Sequence, residues 1–207
     1  MVRDDSIDEE PQGSTPQVPP DESSLWTVLG RDVALLAVAL SLFAAADAWH
    51  TVSPSWLSTA LSVIDGLLVG FAAGAITHEW GHFAGARLSG GTAPIRPASG
   101  FLPLFDFDYA GNSQHHFRQM GIGGNVAHWL TALLLLAGLP MTTVGQAALA
   151  SGAFGFAVFA SNVEFPVLWH SYRGVDGLSA LGKIPKDFLP RYGTYGLLAA
   201  LALFLVL

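Results

Sequence analysis

A chain of 207 residues that is 51% apolar and only 12% charged, with a mean hydropathy of +0.45, reads as an integral membrane protein. The net charge of −7 does not point to a polyanionic partner. Seven acids (Asp4, Asp5, Asp8, Glu9, Glu10, Asp21, Glu22) against Arg3 give the first 24 residues −6, the remainder stands at −1, and no basic patch suggests nucleic acid. With no cysteine, disulfides and thiolate ligands are excluded, so any bound metal must use histidine and carboxylate.

Residues 1 to about 25 carry Pro11, Pro16, Pro19 and Pro20 among acids, Ser and Gln, a composition that cannot bury enough apolar surface to offset ordering entropy. A disordered acidic tail is expected there, followed by a polytopic membrane domain over 26–207. The tail has no basic n-region, so the first apolar segment is expected to stay as an anchor. Five apolar runs then predict spans at about 31–49, 56–87, 120–139, 143–169 and 191–207, the last short for a full crossing. The fold class expected is an all-α membrane protein of about five transmembrane helices.

The second run contains His78-Glu79-Trp80-Gly81-His82. On a helix, residues four apart share a face, so His78 and His82 can hold one Zn2+ through neutral imidazoles while Glu79 acts as general base toward water activated by the ion. Polar groups of this kind are costly inside a bilayer unless they serve a function, which favours a metal over a chance pattern. The same helix carries Gly66, Gly70 and Gly74 at four-residue spacing, a slanting stripe suited to close helix packing.

The loop 88–119 is long for a connector. Phe101, Pro103, Phe105, Phe107 and Tyr109 alternate there with Leu102, Leu104, Asp106 and Asp108, which predicts an extended segment or β-hairpin at the membrane interface. His115 and His116 in the same loop read as solvent-facing or interfacial. With five spans, the tail and the loops 88–119 and 170–190 share one side. All nine Lys and Arg (Arg3, Arg31, Arg87, Arg96, Arg118, Arg173, Lys183, Lys186, Arg191) lie on or at the boundary of that side. The positive-inside rule makes it cytoplasmic, with the N-terminus inside the cell membrane, the C-terminus external and the histidine motif in the cytoplasmic leaflet. Asp47 and Asp65 fall toward the opposite side, away from the motif.

Catalytic zinc takes three protein donors and leaves one position open. In the metzincin pattern the third donor is a histidine at the position of Leu88, so that family is excluded. Asp176, followed by Gly177, leads the remaining candidates, with Glu164, His170 and His128 as alternatives.

The ordered elements His78 to His82, then Gly121, Gly123, Gly124 and Asn125, then Asn162, Pro166, Asp176 and Gly177 resemble the site-2 protease family of intramembrane zinc metalloproteases. The resemblance covers roughly residues 60–180. It implies Zn2+ held by His78, His82 and Asp176, with Glu79 catalytic and Asn125 positioning substrate or intermediate. It also implies a membrane-associated hairpin after the zinc helix. Asn162 and Asp176 stand fourteen residues apart, farther than the family's usual spacing. The function expected is hydrolysis of peptide bonds in or near transmembrane segments of membrane-protein substrates, close to the cytoplasmic face. The alternatives are a catalytically silent metal-binding homologue that binds membrane proteins and an ion transporter.

Overall fold

The computed structural model describes residues 22–96 and 103–207. The expected tail lies outside the described residues up to position 21, as do Phe101 and Leu102 of the loop alternation. Six helices follow in order: α1 (Glu22–Val52), α2 (Trp56–Leu88), α3 (Gln114–Gly138), α4 (Val144–Tyr172), the short α5 (Gly177–Leu181) and α6 (Phe188–Phe204).

Helix starts follow local chemistry. Ser55 opens α2 in a reciprocal box with Ser58, and Thr143 opens α4 by accepting from the Gln146 amide. Ser113 opens α3 in a box with His116, which starts that helix several residues before the apolar run and puts His115 and His116 in its first turn. Pro166 lies inside α4, where it removes one backbone donor.

Four helices, α1 to α4, are long and apolar enough to cross a membrane. Large apolar side chains such as Val33, Leu42, Leu68 and Leu134 are more than half exposed on their outer faces, as lipid contact requires. At 17 residues α6 reaches only about 25 Å, under the roughly 30 Å of a hydrocarbon core. The all-α membrane architecture therefore holds with four helices of spanning length.

The central element is α4, with 72% of its most apolar window buried inside the protein against 17–28% for the other three. Close approach explains the glycine stripe on α2. A Cβ at Gly70 would lie 2.0 Å from the Leu149 carbonyl oxygen of α4, and one at Gly66 would lie 2.7 Å from that of Gly145. Backbones this close gain dispersion contacts that larger residues would forbid. Helix α6 packs on α4 by the same device at Gly155 and Gly196. Asp47 is buried away from the histidine motif, where Ser62 and Thr143 each donate a hydroxyl to its carboxylate at 2.7 Å.

Between α2 and α3, residues 92–96 run antiparallel to 104–108. Asp106 donates to the Pro94 carbonyl (2.9 Å), Arg96 to that of Leu104 (3.1 Å) and Asp108 to that of Thr92 (3.4 Å). Ile95 and Phe105 form an isolated bridge, and no longer strand occurs among the described residues. Period-two alternation does not sort the segment into a wet and a dry face. Leu104 and Phe105 are both buried, in one cluster with Val28, Ala86 and Ala93 and flanked by Trp80 and Phe83, so the segment tucks against the motif end of α2.

Candidate metal centre

His78 and His82 lie one turn apart on α2, and their Nε2 atoms converge at 3.1 Å. Glu164 reaches them from α4, with Oε1 2.7 Å from His82 Nε2 and 3.1 Å from His78 Nε2. The three side chains are only 10–18% exposed. Two close contacts set this geometry. Gly81 and Gly123 meet across α2 and α3, where a Cβ on either would come within 2.4 Å of the other's carbonyl oxygen. Gly124 supplies the floor under His82, since a Cβ there would sit 2.4 Å from the ring's Cε1.

Each donor is held from behind. His82 Nδ1 is 2.9 Å from the Met120 carbonyl oxygen, which can only accept, so Nδ1 carries a proton and donates it. In the neutral ring Nε2 is then a lone pair facing Glu164. Asn125 donates to Glu164 Oε2 at 2.6 Å and to the Gly121 carbonyl at 2.9 Å, which fixes the carboxylate's orientation. The Asn125 Oδ1 is buried without a hydrogen-bond partner among the described residues. His78 Nδ1 lies 3.0 Å from Nδ1 of the fully buried His128.

With both Nε2 lone pairs turned toward Glu164, the three acceptor atoms lie within 3.1 Å of one another and repel unless a cation sits between them. A proton relieves one pair, whereas a divalent ion relieves all three. Tetrahedral bonds of about 2.0–2.1 Å separate donors by roughly 3.3 Å, so two edges of the triangle need open by about 0.2 Å and the Glu164–His82 edge by about 0.6 Å to hold an ion. This His2Glu group could hold a metal ion, and its borderline nitrogen and hard oxygen donors suit divalent transition metals.

The structure does not bring Asp176 into this cluster. Its exposed carboxylate caps α5 by accepting from the Ser179 amide at 2.9 Å, and the Ser179 bonds hold the carboxyl below its usual range. The carboxylate that the structure places beside the two histidines is that of Glu164, not that of Asp176. The physical reason is reach: α4 carries Glu164 to the depth of the histidines, whereas Asp176 follows the end of α4 at Tyr172 and the bend at Gly174. His170, in the last turn of α4, also lies outside the group, and His128 stands behind His78 rather than beside Glu164.

Glu79 is half-buried and accepts from the Leu104 amide at 3.4 Å. It borders two cavities that also touch the donors. One, of about 320 Å3, contains His82 and Glu164 beside Phe105, Phe107, Phe117 and Met120. The other, of about 200 Å3, runs from His78 past Phe156 to Phe188 at the start of α6.

Two supports carried no sequence signal. Trp80, inside the motif, donates to Asp32 of α1 at 2.9 Å, and Arg31 donates to the same carboxylate at 2.8 Å, tying α1 to α2. Ser161 of α4 lies 3.2 Å from His128 Nε2 and accepts from Trp129 at 2.9 Å. Comparison with family models, with curated proteins and with solved structures yielded no match.

Proposed function

We propose that this protein is an intramembrane zinc metallopeptidase, similar in plan to the site-2 proteases, with His78, His82 and Glu164 as its metal donors. The convergence of three oriented donors beside Glu79 carries the reading. Two histidines and a carboxylate are a set that catalytic zinc uses, leaving a fourth position free. A divalent ion held there would supply Lewis-acid polarisation of a carbonyl and activation of water.

The residues divide the remaining work. Glu79 takes a proton from the attacking water as the oxygen–carbon bond forms, then passes it to the amide nitrogen as the carbon–nitrogen bond breaks. Asn125 holds Glu164 in register through its 2.6 Å hydrogen bond. The cavity beside His82 offers an apolar wall for substrate side chains. The 104–108 segment offers an edge: Leu104, Asp106 and Asp108 bond toward 92–96, so the alternate amides of Phe105 and Phe107 face the other way. An extended substrate pairing there would be presented beside Glu79 in a β-hairpin mode. The distribution of Lys and Arg favours a cytoplasmic location for this end of α2, with α6 as a short fifth crossing.

The test is zinc content and cleavage of a model transmembrane substrate by purified full-length protein. The wild type should hold one Zn2+ and cleave, Glu79→Gln should hold zinc without cleaving, and His78→Ala with His82→Ala should do neither. Cleavage by Glu79→Gln at the wild-type rate would refute the assignment.

A further inference from the structure

We infer that His128 is a positioning residue of the metal centre, fixing the ring of His78 through a side-chain relay that ends at Ser161. The inference rests on the metal-binding reading above, but not on peptide hydrolysis. Metal-bound histidines generally donate their second ring nitrogen to an acceptor, which sets both tautomer and orientation. His82 has the Met120 carbonyl for this purpose. His78 has His128 Nδ1, at 3.0 Å.

The direction of the relay follows once His78 Nε2 serves as a metal donor, because the ring proton then sits on Nδ1 and is donated to His128 Nδ1. Trp129 Nε1 can only donate and occupies one lone pair of Ser161 Oγ at 2.9 Å. The His128 Nε2–H donates to the other at 3.2 Å. In this arrangement His128 Nδ1 accepts from the His78 Nδ1–H, and the His78 Nε2 lone pair is aimed at His82 and Glu164. Phe156 holds both rings edge-on, with centroids 5.5 Å from His78 and 5.9 Å from His128. A histidine that is completely buried on α3, bonded at both nitrogens and backed by a tryptophan N–H, is built for orientation.

The experiment titrates the full-length protein in detergent with Zn2+ alone, in competition with a chromophoric chelator, and records the Co2+ visible spectrum and the metal-free melting temperature. His128→Phe keeps a ring but removes the acceptor and should weaken Zn2+ binding about 10- to 100-fold, with an altered Co2+ spectrum. His128→Asn places an oxygen near the lost Nδ1 and should recover most of the affinity and the spectrum. Ser161→Ala, which removes little volume, should weaken binding by a smaller factor while the metal-free protein melts near the wild-type temperature. Wild-type affinity in both His128→Phe and Ser161→Ala would overturn the role, as would an Asn variant no better than Phe. A wild type that binds Zn2+ no better than the His78→Ala, His82→Ala double variant would overturn the metal centre itself, and this role with it.

Discussion

Exchanging the third donor separates the two carboxylates that the sequence offers. Glu164→Gln keeps the side-chain volume and removes the charge lying 2.7 Å and 3.1 Å from the two imidazoles. Four-donor structural zinc sites bind with roughly 10–16 kcal/mol, so one donor is worth about 2.5–4 kcal/mol, or roughly 10²–10³-fold in Kd. At free Zn2+ a thousand times the wild-type Kd, binding stabilises the folded protein by about 4.1 kcal/mol; the weakened site would retain only about 0.4–1.4 kcal/mol. The assay is the zinc-dependent rise in melting temperature with and without chelator. That rise should drop to about a tenth to a third of the wild-type value in Glu164→Gln and persist in Asp176→Ala, whose exposed carboxylate only caps α5. A full zinc response in Glu164→Gln, or its loss in Asp176→Ala, would refute the geometry argued here.

Gly124→Ala places a methyl 2.4 Å from the His82 ring and should lower Zn2+ affinity at least about tenfold by swinging the ligand, measured by chelator competition. Asn125→Asp sets a second carboxylate where an amide now donates to Glu164 at 2.6 Å; activity should fall further than in Asn125→Ala, where Glu164 is freed but not repelled. Trp80→Phe removes the indole N–H from the buried Asp32 and should cost about 1–3 kcal/mol of stability with zinc affinity near wild type, read from paired melting and titration curves. Gly70→Ala drives a methyl to within 2.0 Å of the Leu149 carbonyl and should destabilise α2–α4 packing by about 1–3 kcal/mol.

Much of the architecture was legible because lipid imposes a length rule. The runs at 56–87 and 143–169 fall within a few residues of α2 and α4, since hydropathy and a Ser or Thr cap mark the same boundaries. The start of α3 was less legible, because polar residues from Gln114 onward enter the helix through the Ser113 cap and through contacts distant in sequence, Gln114 and Arg118 donating to Ser171 and Phe117 packing on Val167. His78 and His82 were legible as partners because periodicity on one helix fixes their neighbourhood. The carboxylate beside them was legible only as one of several alternatives behind Asp176, since spacing along a chain says nothing about which side chain on another helix reaches the same point. Glu164 and Asp176 differ by twelve positions, yet one lies within the bundle and the other at its surface.

That difference bears on why a glutamate suits this position. A side chain following the end of a helix must be held by loop structure, whereas Glu164 rises from within the most buried helix, about two turns before its end, eighty-two residues beyond His82 in sequence but 2.7 Å away in space. The small residues of Gly81, Gly123 and Gly124 bring α3 close enough for Asn125 to reach Glu164, and for Met120 and His128 to reach the two histidines. One helix, α3, thus backs all three side chains of the cluster without supplying any of them. Its glycines shape the centre as much as the histidines do, since a single methyl on that face displaces either a ligand or the helix that orients it.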